Sequence, residues 1–243
     1  MPNTELGSRR KRKRITKMVH PPKWKKWLSY LVELHVESVE GTLNPSLHVS
    51  LVNGRYQLST DTAVYSFDDL YDNFITAFEQ TDLKAFQPKS VLILGLGLGS
   101  VPYILETKYK VQPAYTAVEL DEAVIYLAEK YRLSGLKAPV QCIAADAEVF
   151  VSINTETFDL IVIDIFIDDL IPETFLSKEF MTQIKDMLNT GGLVMFNHMA
   201  MDKEQKDRSV QYLDQVMRPL FPSATYIETR NNHILVNTSQ YLK

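Results

Sequence analysis

Only one cysteine, Cys142, occurs in the 243 residues, so neither an intrachain disulfide nor a C-x-x-C zinc or redox pair can form. That scarcity suits a reducing compartment, and a cytoplasmic location is the expectation. Nowhere does an apolar run reach the roughly 18 to 20 residues of a spanning helix. The basic N-terminus lacks the apolar stretch and small-residue cleavage site of a secretory signal, so neither a membrane span nor secretion by that route is expected. H-E-x-x-H, an EF-hand loop and a compact His/Cys cluster are missing as well, so no bound metal is expected.

What is present suits one globular unit with a sizeable core: 45% hydrophobic residues and 23% charged, at net charge −4. The charge is divided unevenly. Residues 1 to 26 carry ten Lys/Arg against Glu5 alone, a charge of +9, and the other 217 residues carry sixteen against twenty-nine Asp/Glu, or −13. The run Arg9 to Arg14 repels itself and offers nothing to bury, so residues 1–27 read as a disordered basic tail. With Trp24 and Trp27 beside Lys23, Lys25 and Lys26, that tail could contact a polyanion nonspecifically.

Residues 28–62 read as a small β unit. Asn53-Gly54 between Leu47–Val52 and Arg55–Leu58 is a hairpin signal, because both residues tolerate the positive φ of a type I′ turn. Leu70, Phe74, Ala77 and Phe78 then predict a helix over 67–86 leading into the remaining unit, 63–243.

Within that unit, Val91 to Leu94 is apolar enough for a buried parallel strand and opens into Gly95-Leu96-Gly97-Leu98-Gly99 before a helix over 101–108. Glycines there let a ligand approach the main chain, and the free N–H groups of the following helix favour an anion; a tight structural turn is the alternative. A second strand ends at Glu119, twenty residues after Gly99, where a carboxylate can accept from both hydroxyls of a ribose. Asp121 follows, where it can simply favour the next helix, 122–131. A third strand, 140–144, precedes Asp146-Ala147, a candidate adenine contact or a helix N-cap.

The fourth strand, 158–163, delivers Asp164 to the carboxyl edge of the sheet, where open parallel sheets bind ligands, with Asp168 and Asp169 on the loop beyond. A helix over 174–188, a glycine closure at 191–192 and a fifth strand at 193–196 follow, the last placing His198 as a reserve site residue or a plain loop residue. A helix over 203–217 and two terminal strands, 224–228 and 233–237, complete a mostly parallel Rossmann-like α/β sheet with an antiparallel edge.

This combination resembles the class I S-adenosylmethionine-dependent methyltransferase fold, and within it the spermidine synthase-like branch, over roughly residues 47 to 237. The branch resemblance rests on Asn53-Gly54-Arg55-Tyr56-Gln57-Leu58-Ser59-Thr60-Asp61 and the following Tyr65. It implies a nucleoside site formed by Gln57, Gly95, Gly97, Gly99, Glu119, Asp146 and Ala147, a catalytic Asp164, and an acceptor side at Tyr65, with Asp168, Asp169 and His198 in reserve. It also implies S-adenosylmethionine, or its decarboxylated form, as cofactor, a small-molecule acceptor such as an amine, and a homodimer formed through the small sheet.

The departures from polyamine synthases fall on that acceptor side. Leu98 stands where the family carries an acid, Asp61-Thr62 replaces an Asp-Glu pair, Ser66-Phe67 replaces His-Glu, and the second acid of the Asp164 loop is displaced. Methyl transfer to a small acceptor is therefore the expected reaction, with aminopropyl transfer and a noncatalytic nucleoside-binding role as the alternatives.

Overall fold

The strands and helices follow from where the apolar residues recur, and the computed structural model of the protein describes them for residues 18–42, 45–61, 64–67, 72–167 and 170–243. Alternating burial first builds a four-stranded antiparallel sheet of β1 (Leu34–Val39), β2 (Leu47–Val52), β3 (Arg55–Ser59) and β4 (Val64–Ser66) in that order. Asn53 and Gly54 turn β2 into β3 with φ of 49° and 74°, and Val52 pairs with Arg55, the expected two-residue hairpin. Leu47, Val49, Leu51, Tyr56 and Leu58 fill one face of this sheet. They pack on Leu98 and on Val124, Leu127 and Tyr131 of the helix at 122–131, each buried aliphatic side chain stabilising by roughly 1.5–3 kcal/mol.

The main sheet has seven strands: β5 (Ser90–Leu94), β6 (Ala114–Glu119), β7 (Val140–Ala144), β8 (Phe158–Ile163), β9 (Leu188–Met199), β10 (Thr225–Glu228) and β11 (Asn232–Val236). Their order is β10-β11-β9-β8-β5-β6-β7. The pairs from β9 through β8, β5 and β6 to β7 are parallel, and β11 is antiparallel to both β9 and β10. Successive side chains of β5 enter different cores: Val91 and Ile93 join one cluster, Leu92 and Leu94 the other. A sheet buried on both faces explains the unbroken apolar runs. Because the chain proceeds outward from β5 to β6 and β7, then returns to β8 on the other side, a crevice opens above β5 and β8.

Several boundaries differ from the sequence expectation. The helix expected over 67–86 is two, α2 (Asp72–Glu79) and α3 (Leu83–Phe86), after α1 (Lys23–Leu28). Thr81 bridges to Leu242, and Asp82 caps α3 by accepting from Lys84 and Ala85 N–H. Beyond α4 (Ser100–Thr107), α5 (Glu122–Tyr131) and α6 (Ala147–Ile153), the helix expected at 174–188 becomes a 3-10 turn at Glu173–Leu176 and α7 (Lys178–Asp186), which Ser177 caps. Leu188 already belongs to β9, opposite Phe158, so Gly191 (φ 76°) lies within an irregular strand instead of before one.

The helix expected at 203–217 is α8 (Lys203–Tyr212) followed by a π-helical turn at Leu213–Met217. The small sheet runs on to Ser66, which pairs with Leu58. Within the segment expected to be disordered, residues 18–27 are instead held against the fold: Val19 N–H donates to the Lys130 carbonyl at 3.0 Å and Tyr56 Oη donates to the Val19 carbonyl. Residues 1–17 lie outside the described part. No helix among the described residues is long and apolar enough to cross a membrane.

Candidate functional site

The glycine loop between β5 and α4 forms because each glycine adopts a backbone that side chains disfavour: φ is 88° at Gly95, 53° at Gly97 and 85° at Gly99. Gly95 has a second requirement. A Cβ on it would lie 2.2 Å from the Asp164 carbonyl oxygen, so the loop can close against the end of β8 only without a side chain. Gly97 is roofed by β4, with Ser66 Cβ 3.0 Å and the Tyr65 carbonyl 3.4 Å from the place a Cβ would occupy, and Ser66 Oγ pairs with Ser100 Oγ at 2.7 Å. The last strand of the small sheet thus sits directly over the loop and brings Tyr65 to it.

Among the described residues no side chain caps the N-terminus of α4. Gly99 is its N-cap and supplies no side-chain bond, whereas Asp121, Asp146, Ser177 and Asp202 cap α5, α6, α7 and α8. N–H groups left over at a helix start, together with the dipole, form a site for an anionic group. Leu98 beside them is fully buried in the seam under the small sheet and contributes no charge.

Glu119, at the end of β6, faces this loop. Its Oε2 accepts from Leu96 N–H at 3.1 Å and its Oε1 from Asp121 N–H at 3.1 Å. Burial pushes its carboxyl above the usual glutamate range, and the N–H groups of Asp121, Leu96, Gly97 and Leu120 only partly offset that. Asp121 is occupied structurally: it caps α5 through Ala123 N–H at 2.8 Å and accepts from Thr42 N–H at 2.7 Å. One strand over, Ala144 pairs with Glu119, which puts Asp146 and Ala147 at the same edge of the sheet. Asp146 caps α6, with its Oδ1 accepting from Glu148 N–H at 2.7 Å, and Ala147 is the buried first residue of that helix.

Across the crevice, Asp164 is fixed by its backbone, which donates to the Leu94 carbonyl at 2.8 Å, and by its Oδ1, which accepts from Asn197 Nδ2 at 2.8 Å. Asn197 is in turn oriented by Asn232, whose Nδ2 donates to Asn197 Oδ1 at 2.9 Å. Neither asparagine is singled out by sequence spacing. Asn197 could be read only as the end of a strand, and its partner on β11 depends on strand order.

The remaining candidates are placed differently. Gln57 is half-buried, opposite Ser50, and alternates away from Tyr56 and Leu58, which enter the seam. His198 follows Asn197 and so points to the other face of β9, into a cavity of about 120 Å³ with Tyr212, Ser209, Leu170 and Leu176. Its ring is buried, Nε2 has no hydrogen-bond partner among the described residues, and burial followed by the neighbouring His233 pushes its pKa down to about 3. It stays neutral and sits apart from the Asp164 cluster. Asp168 and Asp169 lie outside the described residues.

Comparison with known proteins identifies the family and the fold. The family model described as the spermine/spermidine synthase domain matches residues 68–237. The chain is 30% identical over 129 residues to a polyamine aminopropyltransferase of Vibrio vulnificus, a match covering 52% of this chain and 43% of that protein. The chain therefore spans less than half the length of that relative. Among solved structures, a probable spermidine synthase from Corynebacterium glutamicum superposes with TM-score 0.67 at 17% identity, over 84% of this chain and 80% of that one. Human methyltransferase-like protein 13 in complex with SAH gives 0.54 at 19%, over 70% and 82%. At those identities the structures establish the Rossmann-like methyltransferase fold alone. With the family model matched over more than half its length, the chain belongs to the spermine/spermidine synthase domain family.

Proposed function

We propose that this chain is an S-adenosylmethionine-dependent transferase that methylates a small acceptor. The observation that carries the reading is the loop between β5 and α4, which offers helix-start N–H groups that no side chain among the described residues caps and, at Leu98, a fully buried apolar side chain instead of a carboxylate. Such a loop favours the carboxylate of intact S-adenosylmethionine over the lone ammonium of its decarboxylated form. The fit to a nucleoside is supported by Glu119, whose Oε2 accepts from Leu96 N–H of the loop while its Oε1 accepts from Asp121 N–H, and by Asp146 at the neighbouring strand end.

Bound there, the cofactor supplies a methyl group on a cationic sulfur that leaves with the electron pair of the broken C–S bond. The chain's own work is positioning and proton handling. Glu119 orders the glycine loop and accepts from the ribose. Asp164, held by Asn197, orients the nucleophilic atom of the acceptor and takes its proton where it carries one. Tyr65 and Ser66, over the loop, close the site from water.

Calorimetry with S-adenosylmethionine, its decarboxylated form and methylthioadenosine tests the reading. At least about tenfold tighter binding of the intact compound is expected from the charge-assisted contacts at the loop. Preference for the decarboxylated compound, with turnover of a diamine, would replace methyl transfer by aminopropyl transfer, and no binding by folded protein would reject both.

Two substitutions separate the roles. Glu119→Gln keeps the shape but turns one acceptor into a donor facing an N–H group, so nucleoside affinity should fall by about 1.5–3 kcal/mol, read by the same calorimetry. Because burial raises the Glu119 carboxyl, wild-type affinity should also begin to fall, as pH is lowered, above the ordinary glutamate range. Asp164→Asn should reduce single-turnover transfer by about 100-fold or more and leave nucleoside affinity within about threefold. An equal loss in both would make Asp164 a binding residue.

A further inference from the structure

The helix α1 has a composition that its place in the fold does not explain. It reads Lys-Trp-Lys-Lys-Trp-Leu, and none of its residues is buried. From Pro22 to Glu33 every residue except Leu28 and Ser29 is exposed, and Trp24, Trp27 and Leu31 leave 61%, 69% and 69% of their surfaces open. Tyr30 and Val32 extend the same patch. The segment is nevertheless held firmly. Asn53 N–H donates to the Ser29 carbonyl at 2.8 Å, Gly54 N–H to Ser29 Oγ at 2.8 Å, and Ser29 Oγ to the Lys26 carbonyl at 2.7 Å. A polar clasp on the β2–β3 turn therefore fixes the helix while its apolar side chains face away from both cores.

Charge indicates what meets them. Lys23, Lys25 and Lys26 lie among the tryptophans, with the Lys25 ammonium 5.7 Å from the Trp24 ring, and Arg55 donates to Tyr30 Oη beside them. Glu33 is the one acid in the exposed run, and residues 1–17 add seven Lys/Arg against Glu5. Lysines interspersed with aromatics suit neither a core to be buried nor a second copy of the chain, since the centres of protein interfaces are depleted in lysine. Nucleic acid would engage the tryptophans and lysines but leaves Leu31 and Val32 without a partner, because aliphatic side chains do not stack on bases. At a lipid headgroup layer all of these find one: tryptophan and tyrosine at the interface, leucine and valine below it, and ammonium groups on anionic phosphates.

We propose that α1 and the turn following it, residues 22–32, form a docking surface for an anionic lipid bilayer, lying in the interface without crossing it. This inference is independent of the transferase reading. It places the protein against a membrane through the β2–β3 turn that clasps Ser29.

The chain's only two tryptophans are Trp24 and Trp27, so its tryptophan emission reports on this surface alone. Adding vesicles of phosphatidylcholine with about 30 mol % phosphatidylserine to the full chain should shift that emission to shorter wavelength by roughly 5 nm or more, saturably, and pure phosphatidylcholine should bind at least about tenfold more weakly. The variant K23E/K25E/K26E should lose about tenfold or more in vesicle co-sedimentation, with its urea midpoint and nucleoside binding unchanged. Co-sedimentation without an emission shift would assign binding to residues 1–17 and overturn the proposal. So would a shift that appears without vesicles together with a doubled mass, displacement of the vesicles by duplex RNA at lower concentration, or no response to anionic vesicles at all.

Discussion

Replacing Gly95 with alanine should cost about 3 kcal/mol or more of folding stability and abolish nucleoside binding in whatever protein still folds. Two costs combine. Gly95 has φ 88°, a conformation that costs an L side chain roughly 1–2 kcal/mol. The added Cβ would also stand 2.2 Å from the Asp164 carbonyl oxygen and 2.8 Å from its carbonyl carbon. That backbone cannot easily retreat: Asp164 N–H bonds the Leu94 carbonyl and Gly95 N–H bonds the Val118 carbonyl, so relief means parting β8 from β5 or β5 from β6 where the crevice opens. Gly191→Ala is the control, because φ there is 76° but among the described residues a Cβ meets only Tyr241 Oη, at 3.3 Å. It should cost about 1–2 kcal/mol. Urea titration of both variants isolates the contact with Asp164, and equal losses would mean that the close approach of loop and strand contributes nothing.

That contact illustrates what the sequence can and cannot convey. Val91 to Leu94, Phe158 to Ile163 and Leu193 to Phe196 announce buried parallel strands because both of their faces are apolar, and the glycine loop, Glu119 and Asp164 fall where such strands end. Local chemistry suffices there. Boundaries set by distant partners are different. Nothing near Thr81 reveals that Leu242 will pair with it and split a helix, and nothing near Leu188 reveals that Phe158 will draw it into β9. The Asp164–Asn197–Asn232 chain needs three strands in a particular order before its amides can meet. The acceptor side is legible mostly as departures: Leu98 reads as a missing acid, and only the fold shows it as part of the seam that fastens the small sheet to α5.

His198, expected on a loop, lies buried in β9 instead, and there it makes stability pH-dependent. The ring lies edge-on to Phe196 with centroids 4.4 Å apart and beside Tyr212 at 5.0 Å, and His233 faces it across the β9–β11 pairing. His233 donates to or accepts from Ser209 Oγ, and Arg208 lines the same cavity, so among the described residues the groups around His198 offer an imidazolium no carboxylate. Burial accordingly pushes its pKa down to about 3. An unfolded histidine takes up its proton near pH 6.5. Between those values the unfolded chain binds a proton that the folded chain refuses, so stability falls as pH falls, by about 1.4 kcal/mol per pH unit, and the loss ends only below the folded pKa. Above pH 6.5 the two states agree and this contribution disappears. His198→Leu removes the titrating group while filling the site with apolar atoms, so at pH 7 the variant should lie within about 1 kcal/mol of the parent. Between pH 6 and pH 4 the parent should lose about 2.5 kcal/mol more than the variant. Urea midpoints across that range measure the difference directly, because the carboxylates and His233 titrate in both proteins. Parallel curves would mean that His198 reaches solvent or a hidden counter-charge, and that its position behind β9 is not the closed apolar one.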